Sequence, residues 1–179
     1  MGMKSTKYIM SGGFAVAEEK DMEKLGKYAK KGWLLESVTP FGYKMRRSEP
    51  QNLVYSLDYQ TNVDEDYDLI FEDAGWTRVC SVGGTHFFRA AAGTTPIFTD
   101  KATIIDKYQR EKKVTGTIAL PSLIALIVFV LLGRMSDNGR LPEIVGDISL
   151  ILGLLSLFIA IFSGFPHIAC QIKLHNLRK

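Results

Sequence analysis

The chain has 179 residues, 22 of them basic and 19 acidic, for a net charge of +3. That length holds one ordinary domain and a modest extra, and excludes several globular domains. Nearly all the acids precede about Lys113, and beyond it Leu, Ile, Val, Phe, Ala, Gly and Ser predominate. This is the composition of a lipid-facing segment, and the basic residues that border it are a membrane signature before they are a nucleic-acid one.

At the N-terminus the basic region and apolar run of a signal peptide are missing. Met1-Gly2 with Thr6 fits the loose N-myristoylation pattern, which chance explains better because two membrane spans further on already supply anchoring. Lys7 to Met10 reads as a short strand ending at Ser11-Gly12-Gly13. A helix follows from about Glu18 to Lys31, with Met22, Leu25 and Ala29 on one face, acids early, lysines late and Gly32 as its stop. Trp33 opens a strand through Val38, Thr39-Pro40 turns it, and Phe41, Tyr43 and Met45 alternate with Lys44 and Arg46 on the next. Leu53, Tyr55, Leu57 and Tyr59 give a further strand one apolar face.

A second helix is expected from about Asp64 to Ala74, with Tyr67, Ile70, Phe71 and Ala74 facing inward and Gly75-Trp76 after it. The punctuation then repeats, since Gly32-Trp33 with its hairpin is matched by Gly75-Trp76, Ser81-Val82, the Gly83-Gly84 turn and Phe87-Phe88. Two copies of helix, Gly-Trp and β-hairpin predict an α+β fold, a ferredoxin-like sandwich with an antiparallel sheet and two helices on one face, over residues 1–98.

Residues 99–113 form a juxtamembrane helical stalk, capped by Thr99 or Asp100 and containing Ile104, Ile105 and Tyr108. Residues 114–133 are uncharged and, as a helix, about 30 Å long, enough to cross a hydrocarbon core; Pro121 is tolerable there with a kink. A short extracytoplasmic loop, 134–143, carries the turn signal Asp137-Asn138-Gly139 and Pro142. The second span, 144–168, has one acid, Asp147, in its first turn, where it reaches the headgroups. A basic tail, 169–179, follows. Lys107, Arg110, Lys112 and Lys113 precede the first span and Lys173, Arg178 and Lys179 follow the second, so the positive-inside rule puts both termini in the cytoplasm of a two-span cell-membrane protein.

Within the second span Gly146, Gly153 and Ala160 recur every seven residues, with Ser149, Ser156 and Ser163 three residues after each. This seam of small side chains lets another helix approach closely. Its partner is either the chain's own first span or another chain, by self-association or with a different membrane protein.

Catalytic and cofactor patterns are missing: there is no Walker loop, dinucleotide fingerprint, paired zinc motif or nucleophile elbow. Cys80 and Cys170 are too few for a disulfide framework and read as free thiols in a reducing compartment. Gly12-Gly13 and Gly83-Gly84 read as turns. His167 and Cys170 share a helical turn but have no further metal ligand nearby. The acidic run Asp64 to Asp73 reads as the solvated face of the second helix, and it argues against nucleic acid on the aromatic strands.

The motifs Glu18-Glu19-Lys20, Lys30-Lys31-Gly32-Trp33-Leu34, Phe41-Gly42-Tyr43, Tyr55-Ser56-Leu57-Asp58-Tyr59, Phe71-Glu72-Asp73-Ala74-Gly75-Trp76, Phe87-Phe88-Arg89 and Ile97-Phe98-Thr99-Asp100, in that order, resemble the domain of unknown function 2812 family over roughly residues 5 to 110. The resemblance carries no catalytic residues. It implies a bacterial protein whose relatives commonly continue into transmembrane helices and are often encoded beside PadR-type regulators, an association with envelope stress or drug response.

The expected function is a non-enzymatic, membrane-anchored interaction or regulatory module at the cytoplasmic face, without a cofactor or metal. The alternative is a small-molecule sensor or enzyme with a pocket on the sheet face, lined by Tyr43, Tyr55, His86 and Phe88.

Overall fold

The computed structural model describes residues 5–179, so the myristoylation pattern at Met1-Gly2 lies outside the described residues. Ten elements follow in order: β1 (Thr6–Met10), α1 (Phe14–Ala29), β2 (Trp33–Thr39), β3 (Gly42–Arg47), β4 (Leu53–Tyr59), α2 (Tyr67–Asp73), β5 (Thr77–Val82), β6 (Thr85–Ala91), α3 (Lys101–Asp137) and α4 (Glu143–Arg178). They divide into two compact units, one reaching to Arg110 and including the last three residues, the other Glu111–Asn176.

The first unit is α+β and internally repeated. Its strands form two antiparallel three-stranded sheets, ordered β1-β3-β2 and β4-β6-β5. Each is a strand, a helix and a hairpin in which the first strand pairs with the third. The repeat extends to details. Gly32 and Gly75 both have positive φ, 76° and 82°, which ends the preceding helix, and each is followed by a tryptophan that opens β2 in one repeat and immediately precedes β5 in the other. Each hairpin then slips register at the same place, between Leu35 and Ser37 in one and Arg78 and Cys80 in the other.

Helix α1 packs on β2 and β4, α2 packs on β5, and β2 and β5 lie close together. Ala15, Met22, Leu25 and Ala29 form a buried stripe of α1, and Leu34 and Leu35 on β2, Tyr43 and Met45 on β3 and Leu57 on β4 are buried with it in the core. The second repeat is built on aromatic rings: Tyr67, Trp76, Phe88 and Ala90 form a cluster with Phe71, whose ring stacks on Phe88 at 4.2 Å between centroids.

Three sequence expectations change. The α+β class holds, but the strands expected in one antiparallel sheet form two three-stranded ladders, because each first strand pairs with the hairpin of its own repeat. Helix α2 is shorter than predicted, and Ile70 is 66 % exposed, because seven residues present only Tyr67 and Phe71 to the sheet. Phe41 sits in the turn before β3, also exposed, with its carbonyl accepting from Ser11 N–H at 3.0 Å.

In the second unit α3 and α4 run antiparallel. His167 Nδ1 lies 3.0 Å from Lys112 O at one end, Gly153 faces Phe129 midway, and Gly146 faces Ser136 near the turn. Both helices are long and apolar enough to cross a membrane, and only 11 % and 17 % of their most apolar windows are buried within the chain. A core helix of a soluble protein buries most of such a stretch. Helix α3 therefore starts in the first unit and continues through the second.

Candidate functional site

The interior of the first unit contains buried carboxylates, among them Asp21 on α1 and Asp58 on β4. Asp21, 4 % exposed, accepts from Ser11 Oγ at 2.6 Å, from Gly12 N–H at 2.9 Å and from the Tyr43 hydroxyl at 2.9 Å. It ties the β1–α1 turn to β3. Asp58 on β4 accepts from Tyr67 on α2 at 3.0 Å and from Arg110 on α3 at 2.7 Å. Burial first, and then the adjacent carboxylate, pushes the phenols of Tyr43 and Tyr67 well above their ordinary range.

Glu18 and Lys107 form the most secluded ion pair, their side chains 8 % and 4 % exposed. The Lys107 ammonium donates to Glu18 Oε1 and lies among three rings, 4.7 Å from the centroid of Phe98, 5.5 Å from Tyr108 and 5.6 Å from Tyr59. Ring faces and a carboxylate together replace the hydration that burial removes. Arg110, one helical turn on, donates from Nε to Tyr59 O at 2.7 Å and pairs with Asp106 as well as Asp58. Asp100 caps this helix, accepting from Thr103 N–H at 2.9 Å, and that bond holds its carboxyl below the usual range.

Beside this pair opens a cleft of about 330 Å³ whose lining includes Glu19, Val54, Tyr55, Trp76, Ile97 and Phe98. Trp76 is fixed by donating Nε1–H to Thr95 O at 2.9 Å. A neighbouring groove of about 490 Å³ shares Glu18, Glu19 and Tyr55 and continues along α1 past Glu23 and Lys27. The chemistry on offer is cation binding, by acids and ring faces over an apolar floor.

The four residues expected to line one pocket are not brought together. Tyr43 and His86 occupy equivalent positions in the two hairpins, and both are interior. His86 Nε2 lies 2.8 Å from Gln60 O; a carbonyl only accepts, so Nε2 carries the proton and Nδ1 accepts from Ser81 Oγ at 2.8 Å. Phe88 is fully buried in the aromatic cluster. Tyr55 alone reaches a cleft, its hydroxyl buried near the Leu35 backbone and its phenol raised by that burial. In the sequence Glu18 and Phe98 stand out only within family motifs, and Lys107 only as a basic charge flanking the first span. A partner 89 residues away leaves no local signal.

In the second unit Ser149, Gly153, Ser156 and Ser163 are buried, and Gly146 and Ala160 are half-buried, on the side of α4 that meets α3. His167 is engaged with the Lys112 carbonyl, and among the described residues no group of three or more His, Cys, Asp or Glu is placed to hold a metal ion.

No curated protein and no solved structure matches the chain. One family model does, that of a protein of unknown function (DUF2812), over residues 17–120. This range is more than half of the chain and takes in the first repeat from within α1, the whole of the second, the Glu18–Lys107 pair and the start of the first apolar helix, and the chain belongs to the DUF2812 family.

Proposed function

We propose that this protein is a membrane-anchored, non-enzymatic interaction or regulatory module acting at the cytoplasmic face. The observation that carries it is the double membership of α3. Its first turns are clamped in the α+β unit by Lys107 and Arg110, on Glu18, Asp58 and Tyr59 O, and the same helix goes on as an apolar span. A regulator needs a change in a folded domain to be felt by a membrane helix, and one covalently continuous helix supplies that link. The engaged state of Tyr43, His86 and Phe88 supports a binding rather than a reacting domain.

The test is crosslinking in native membranes from a photoreactive residue at exposed Ile70, with mass spectrometry of the adducts. A single defined protein adduct, lost when the label is moved to exposed Val16, supports the reading. Adducts to lipid and to this chain alone would sink it. A sensor role is the second reading, favoured by the cleft beside Tyr55.

A further inference from the structure

The ammonium of Lys107 occupies what is, chemically, a cation site. Three aromatic rings and the Glu18 carboxylate surround it, and an apolar cleft with a second acid, Glu19, opens alongside. We propose that this site takes a free amphipathic organic amine whose ammonium displaces that of Lys107, so that ligand binding loosens the first turns of α3 from the α+β unit.

The exchange conserves the chemistry at the cage. A ligand ammonium finds the same carboxylate and ring faces that Lys107 now uses. It also brings an apolar body for the floor of Val54, Tyr55, Trp76 and Ile97, which a lysine stem reaching in from α3 does not fill. The released lysine regains water and rotamer freedom on a flexible stem. The cleft, at about 330 Å³, is at the small end of the range for ligand pockets, about 300 to 1,000 Å³. A monocyclic amine suits it. A lipid amine headgroup does not, because its apolar chains lie beyond a phosphate that Glu18 and Glu19 would repel. Arg110 remains on Asp58 and Tyr59 O, so the segment is loosened and not expelled. The inference stands on the cleft and cage and is independent of any protein partner.

The experiment uses the full chain in a neutral detergent with 2-phenylethylammonium, and 2-phenylethanol as its uncharged counterpart. Calorimetry is expected to show the ammonium binding at least about tenfold tighter than the alcohol, as a ring-faced, carboxylate-bearing site requires. Amide exchange in residues 101–110 should speed up on binding. In Lys107→Ala, the ligand should raise the thermal midpoint by more than it does in wild type, because it supplies the missing cation. Glu19→Gln, at an exposed position on the cleft wall that Lys107 does not use, should weaken ammonium binding while leaving the midpoint of the free protein nearly unchanged. If Lys107→Ala does not fold, the Glu19→Gln arm and the exchange data decide alone. Equal affinity for the alcohol, no binding of the ammonium, or binding that leaves exchange in 101–110 unchanged or slower would each overturn the proposal.

Discussion

Asp21 and Tyr43 show how much of this domain is decided by single polar contacts. A buried carboxylate is tolerable only while its lone pairs are used, and Asp21 uses them on a hydroxyl, a backbone N–H and a phenol. Tyr43→Phe keeps the ring in the core and removes one donor, so it should destabilise the domain by about 1 to 2 kcal/mol in urea titrations. Tyr43→Phe with unchanged stability would mean that Ser11 and Gly12 satisfy Asp21 by themselves. The same burial predicts alkaline sensitivity. Tyr43, Tyr55 and Tyr67 are all raised above 10.0, primarily by desolvation. The folded state then holds phenol protons that the unfolded chain releases, so stability is full below pH 10 and falls as pH rises past it. Thermal midpoints between neutral pH and strong alkali should show this decline, with these phenols ionising only as the domain opens.

At the scale of elements the α3–α4 pair has the simplest logic, since small residues on α4 let two backbones approach where an apolar solvent offers no hydrophobic drive. Gly153→Leu places a branched side chain against Phe129 and should lower thermal stability in detergent by about 1 to 3 kcal/mol without altering oligomeric size. Leu154→Ile, at a position 59 % exposed, conserves volume and should have little effect. A change in size exclusion with Gly153→Leu would instead assign the seam to contacts between chains. Gly116 offers a second test, because a Cβ there would sit 2.9 Å from the His167 ring. Gly116→Ala should push the imidazole off the Lys112 carbonyl and destabilise the pair, and relief of that loss by adding His167→Ala would identify the ring as the obstacle.

For the whole molecule, orientation is a matter of charge. Lys107, Arg110, Lys112 and Lys113 stand at the entrance to the first apolar stretch, and Lys173, Arg178 and Lys179 follow the second, whereas Arg134, Asp137, Arg140 and Glu143 mix both signs at the turn. A reporter active only in the cytoplasm should therefore work at either terminus. Labelling of a terminal cysteine by an impermeant maleimide in intact cells would reverse the topology.

The sequence by itself determined the features whose causes are local. Gly-Trp punctuation set the ends of α1 and α2, alternation marked the strands, and two long apolar runs declared α3 and α4. The small-residue seam was legible too, because a heptad spacing on one helix defines a face whatever covers it. Other features depended on tertiary structure. Whether six strands join one sheet or two ladders depends on pairing between distant segments, which no window of sequence contains. The same holds for the candidate site. Glu18 and Lys107 read as a surface acid and a membrane-flanking base until folding brings α1, β4 and α3 together and removes the water between them. Tyr43 and His86, by contrast, looked available as ligands in the sequence, and became core groups once Asp21, Gln60 and Ser81 took up their polar atoms. Burial and partner choice are properties of the assembled fold, because each depends on what the rest of the chain places within about 3 Å of a given atom.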